Sequence, residues 1–186
     1  MAAERRRVAA EAAAKEEERQ RLAEAAAVSR EARRADAEAE ELRIRTEVER
    51  REREAAELTH SVPVGMAGVE SGLRRLREEA EAKGGQQQCN KTLQALEKVL
   101  KQVLAHPEDP RFKAIKSDNE SYQQDIGYSE GAVLVLLSSG FKVRVEEGRN
   151  VLCINEPDPL EDMDAWAHWH DVLKSAVRAI QMALEP

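Results

Sequence analysis

Every aromatic side chain of this sequence lies beyond position 110: Phe112, Tyr122, Tyr128, Phe141, Trp166 and Trp169. Globular cores are built around large apolar side chains of this kind. A chain with none of them in its first half therefore places its core in the second. Composition points the same way, because charged residues make up 35% and aromatics 3%, too polar a mixture for a core that engages every residue. At 186 residues the sequence reads as a small domain carrying an extension.

The extension is residues 1–58. They hold neither glycine nor proline and consist mainly of Ala, Glu and Arg, which favours continuous helix on propensity alone. Glu17–Arg21, Glu41–Arg45, Glu47–Arg51 and Glu49–Arg53 stand four apart with the acid first. Each such pair adds about 0.2–0.5 kcal/mol. The larger apolar residues (Val8, Leu22, Val28, Leu42, Ile44, Val48 and Leu58) keep no heptad, so a charge-laced monomeric spacer is expected rather than a strong coiled coil. Pro63 and Gly65 end the helix. Residues 59–88 are expected to be a linker holding a short amphipathic helix, with Val69, Leu73 and Leu76 at helical spacing, closed by Gly84 and Gly85.

The pattern changes at about residue 89. Leu93, Leu96, Val99, Leu100, Val103 and Leu104 form one face of a helix behind an Asn90 cap. Asp109-Pro110 starts a short helix over Phe112 and Ile115, a further turn covers 120–125, and Ser129 caps the buried helix "EGAVLVLLSS", which ends at Gly140. "FKVRV" and "VLCI" flank "EEGRN" as a hairpin. A last helix sets Trp166, Trp169, Leu173, Val177, Ile180 and Leu184 along one side. The expected fold is α+β: a compact, mostly helical domain at 89–186 with a small β-hairpin, preceded by a long charged helix.

The net charge of −7 argues against nucleic acid, whose phosphates need a basic footprint. No apolar run approaches the roughly 18 residues of a membrane span, and the N-terminus lacks the apolar stretch of a secretory signal. Cys89 and Cys153 belong to different segments and read as a buried small residue and an incidental thiol, which suits the cytosol or nucleus. Of His60, His106, His168 and His170, only His168 groups with acids, Asp164 and Asp171, on one helix face. A catalytic zinc needs three protein ligands in a dry pocket, so this set reads as a solvated face. With no Gly-rich phosphate loop and no nucleophile signature, a non-enzymatic protein without cofactor or metal is expected.

Three stretches carry a resemblance: "LEKVLKQVLAHPEDPRFKAIKSDN", then "GYSEGAVLVLLSSGF", then the hairpin. In this order they resemble the PUB (or PUG) domain of peptide:N-glycanase, some UBX-domain proteins and a linear-ubiquitin ligase, over residues 90–184. The resemblance implies docking of the C-terminal tail of the valosin-containing-protein AAA ATPase, an unfoldase of ubiquitin-dependent degradation. That tail is acidic, with an aromatic next to its end.

By the same resemblance, Asn119 matches the pocket asparagine, Lys116 stands where the family has Arg or Lys, and Lys113 is a supporting charge. Phe112 replaces the turn's usual Tyr, and Gln102 replaces Asn on the first helix. All of these positions but Gln102 also have a plainer reading. Phe112 suits a core, the two lysines a solvated face, and Asn119 a helix cap.

In the arm, Arg19, Ala25 and Ala26, with Arg30 one position late, resemble the short helical motif by which some cofactors bind the same ATPase's N-terminal domain. The rival reading is a scaffolding protein that acts through its long helix, with the C-terminal domain as a binding cap. A cytoplasmic, and also nuclear, adaptor is the expectation.

Overall fold

The computed structural model describes residues 2–83 and 85–185, with side chains for 15–82 and 85–185. It divides into two units, one ending at Glu47 and one beginning at Val48. The described residues of the first unit are helical and belong to α1 (Ala2–Ser61). Its side chains are exposed from Lys15 to Thr46. Glu16–Arg19 and Glu40–Arg43 approach to 3.9 Å across one turn, exposed pairs worth a few tenths of a kcal/mol at about the surface value. Leu22, Val28, Leu42 and Ile44 stay open to solvent and form no seam.

The second unit holds the core. It comprises the end of α1, α2 (Met66–Lys83), α3 (Gln86–Ala105), a 3₁₀ turn (Pro110–Phe112), β1 (Ala114–Lys116) and α4 (Glu120–Tyr122) running into a π turn (Gln123–Gly127). Then come α5 (Glu130–Ser138), β2 (Lys142–Glu146), β3 (Arg149–Cys153) and α6 (Met163–Leu184). Leu93, Leu96, Leu100 and Val103 of α3 share one buried cluster with Leu173, Ala176, Val177 and Ile180 of α6. Among the described residues, no helix is long and apolar enough to cross a membrane.

The linker expected at 59–88 is a linker only in part. Helix α2 lies against α5, and its Val69, Leu73 and Leu76 join the same core as Val135 and Leu136. Close approach is possible because glycines meet. A Cβ built on Gly72 would stand 2.9 Å from the Gly131 carbonyl oxygen, so a larger residue would push the helices apart. Apolar spacing in the sequence shows that α2 has an inward face, and only packing shows where inward is.

Two local readings also change. The Asn90 cap is not used: α3 starts at Gln86 with Gly85 before it, and Asn90 lies inside the helix, accepting from Gln86 Nε2 at 3.2 Å. The glycine break begins the helix earlier than the polar residue does. Ser129, by contrast, caps α5 by accepting from the Ala132 amide at 3.2 Å.

The sheet has three antiparallel strands in the order β1-β3-β2. The hairpin turns through Glu147 and Gly148, both at positive φ (51° and 73°), which matches the twist of a tight hairpin. Strand β1, which the sequence does not announce, forms inside "RFKAIKSDN". Three residues are too few to show alternation. The strand is held from both ends, where Ile154 N donates to Lys113 O (2.9 Å) and Ser117 N to Asn150 O (3.0 Å). The free edge of β2 is covered by the end of α1, where Thr59 Oγ1 accepts from Val143 N at 3.0 Å and Arg51 donates to Gly148 O. Unpaired edge groups are a docking hazard, and a helix laid along them removes it.

Candidate peptide-binding site

The site is built where α3 hands the chain to the sheet. His106 follows the last turn of α3 and donates its backbone N–H to Gln102 O at 3.0 Å. Asp109 then caps the 3₁₀ turn, accepting from the Arg111 amide at 2.9 Å while also gripping its guanidinium. Those hydrogen bonds hold the Asp109 carboxyl down at about 2. With the turn clamped, Phe112 folds back on the end of α3. Its ring stacks on His106 with centroids 5.4 Å apart and planes at 29°, and Arg111 Cζ lies 5.8 Å from the ring centre. Phe112 is half-buried and outside the core cluster, so the core reading of this ring does not hold.

Gln102 precedes His106 by four residues and so shares its side of α3. Both line a shallow groove with Lys98, Lys101 and Ala105. His106 is the contributor that the sequence reading passed over for this site. Its signal was there: the residue four on from Gln102, immediately before a proline.

Lys113 goes elsewhere. Its ammonium lies 3.3 Å from Glu156, whose other oxygen takes the Trp166 indole N–H at 2.9 Å. His170 stacks on the same indole at 5.1 Å. Lys113 thus ties the turn before β1 to the segment after β3, which Glu156 in turn holds to α6.

Lys116 closes β1. Alternation turns Ile115 towards the core and Ala114 and Lys116 outwards. Lys116 is exposed and has no ion-pair partner among the described residues. Its carbonyl accepts from the Asn119 amide at 3.1 Å, so the two residues share one turn. Asn119 Oδ1 caps α4, accepting from Ser121 N at 2.9 Å and Tyr122 N at 3.3 Å. The plainer reading of Asn119 therefore holds for its oxygen. Its side-chain NH₂ has no partner among the described residues.

The five sequence-selected residues thus fall into separate places. Gln102 and Phe112 meet through His106, Lys116 and Asn119 share a turn, and Lys113 belongs with neither group. Phe112 and Lys116, the nearest members of the two groups along the chain, are four residues apart, at most about 13 Å at 3.3 Å per residue. In the other unit, Arg19, Ala25, Ala26 and Arg30 are all exposed on α1. No cluster of three or more His, Cys, Asp or Glu able to hold a metal occurs among the described residues. Cys89 and Cys153 are buried free thiols, pushed up first by that burial.

A small, mostly helical α+β domain with a three-stranded antiparallel sheet, preceded by a long charged helix, is the class that this architecture defines. Residues 86–165 match the family model of the PUB domain, so that stretch of the chain carries a PUB domain. The PUB domain is a protein–protein interaction domain rather than a catalytic one. The match runs from the start of α3 into the first turn of α6, so α2 lies outside it. No curated protein matches the chain.

Proposed function

We propose that this PUB domain docks the acidic, aromatic-ended C-terminal tail of a valosin-containing-protein type AAA ATPase, as a cytosolic adaptor in ubiquitin-dependent degradation. One observation carries the reading. The half-exposed Phe112 ring is fixed by His106 and Arg111, and four residues later Lys116 stands exposed with no counter-ion among the described residues. The ring and Gln102 receive the tail's aromatic. Lys116 faces a tail carboxylate, and the Asn119 NH₂ is left to donate to a peptide carbonyl. Lys113, already paired with Glu156, supports the site by holding its far side.

Calorimetric titration of the full chain with a short acidic peptide ending in an aromatic-glycine pair tests this. Binding is expected, and is expected to vanish when the aromatic becomes alanine. No heat with the intact peptide overturns the reading.

The exposure of Arg19, Ala25, Ala26 and Arg30 supports a second contact of the arm with the same ATPase's N-terminal domain. Two linked contacts raise avidity on the order of 100-fold when the linker spans both sites. Arg19→Ala with Arg30→Ala should weaken binding of the full chain to the whole ATPase and leave binding of the tail peptide unchanged. Equal binding to the ATPase makes the arm a spacer. The exposed apolar residues of 15–46 form no seam, which favours a monomer over a helical scaffold, and sedimentation at rising concentration separates the two.

A further inference from the structure

Beside Lys116, the outward face of the sheet carries two cations, Lys142 and Arg144, that the proposed tail site does not use. Cross-strand register places Lys116, Val151 and Arg144 in one row, and Ala114, Cys153 and Lys142 in the next. Residues of such rows share a face. The intervening row, Ile115, Leu152 and Val143, packs on the core. Val151 and Cys153 are buried in the middle strand, while Lys116, Lys142 and Arg144 are exposed on either side of it. Lys116 and Arg144, two strand spacings apart, are separated by about 10 Å. None of the three has an ion-pair partner among the described residues. Arg149, beside them, is occupied by Asp118 at 2.9 Å, and Glu146 reaches across to Cys153 Sγ at 3.9 Å.

We infer that this face continues the tail site, so that an acidic stretch preceding the aromatic end of a docked peptide crosses the sheet and is read by Lys142 and Arg144. The inference rests on the proposed docking of an acidic tail. Lys116 belongs to both surfaces, so a peptide passing it enters the field of Arg144 within about three extended residues. An acidic peptide suits this face better than nucleic acid does. The face has no aromatic on which a base could stack, and three open cations on a chain of net charge −7 make a small phosphate footprint. Attraction between exposed charges acts mainly on encounter and fades with salt.

The full chain is titrated with two peptides sharing the same acidic, aromatic-ended terminus, one preceded by a run of glutamates and the other by a run of serines. At low salt the glutamate peptide should bind about tenfold tighter, the scale expected of two exposed pairs. Lys142→Gln with Arg144→Gln should abolish that preference and leave the serine peptide's affinity unchanged. Lys142→Glu with Arg144→Glu should reverse it. Should the glutamate pair melt the edge strand, the glutamine pair carries the test.

Equal affinity of the two peptides for the wild type overturns the inference, as does an equal loss for both in the glutamine variant. A single-stranded oligonucleotide that competes as well as the glutamate peptide also overturns it. If only the glutamate peptide binds, and does so through Lys142 and Arg144, the sheet face stands and the ring-docking reading falls. If neither binds, both fall.

Discussion

Gly131 on α5 backs onto Gly72 on α2 so closely that a Cβ on Gly131 would lie 2.7 Å from the Gly72 carbonyl oxygen. The obstacle is backbone, which cannot swing aside as the end of a side chain can. Gly131→Ala should therefore destabilise by about 1–3 kcal/mol, the range for overpacking a tight interior. Thermal unfolding of the variant is expected several degrees below wild type. An unchanged melting temperature would show that the two helices can separate at no cost.

Helix α2 makes the stable unit larger than the family match. Residues 48–186 should melt as the full chain does, because they keep α2 and the stretch of α1 that covers β2. Residues 86–186 lose Val69, Leu73 and Leu76, each worth about 1.5–3 kcal/mol of burial. Together that rivals the roughly 5–15 kcal/mol by which a small domain is stable. The shorter fragment should show no cooperative transition by circular dichroism, and a sharp one would refute this boundary.

Three substitutions separate the parts of the proposed tail site. Lys116→Glu should lower peptide affinity at low salt, with the loss shrinking as salt rises. Asn119→Ser keeps an oxygen to cap α4 while removing the amide donors, so the fold should hold and affinity fall by about 1–3 kcal/mol regardless of salt. Phe112→Ala should cost binding with little change in melting temperature, since the ring lies outside the core cluster. Wild-type binding by all three, measured by calorimetry, would assign the tail elsewhere.

Alkaline stability should hinge on Tyr122. Burial pushes its phenol up from 10.0 to about 12. The folded state thus favours the neutral ring, a stabilisation complete below pH 10 and lost as pH climbs towards 12. Tyr122→Phe cannot ionise, so its denaturant midpoint should fall less across that window than the wild type's. Asp109 works in the opposite sense: its lowered carboxyl stabilises above its ordinary 3.8 and stops doing so as pH falls through about 2. Asp109→Asn should flatten that acid limb.

Much of this fold was legible because it is local. Ser129 and Asp109 cap their helical turns by hydrogen bonds within three residues, and the glycine in "EEGRN" serves the hairpin turn by its own conformational freedom. The charged arm is helical for the same reason, its propensity needing no partner. The site was legible only in outline. Lys113 and Lys116 look alike in sequence, yet one is spent on Glu156 and the other left open.

Propensity, capping and periodicity act over a few neighbours, and they mark the long helices, the hairpin and the concentration of aromatic residues beyond position 110. Tertiary structure alone decided that α2 belongs to the core, that three residues of "RFKAIKSDN" become a strand, and that His106 supports Phe112. Each of those outcomes depends on a surface, a hydrogen-bonding edge or a ring that another part of the chain supplies. Spacing along the sequence carries no record of which distant group will be there.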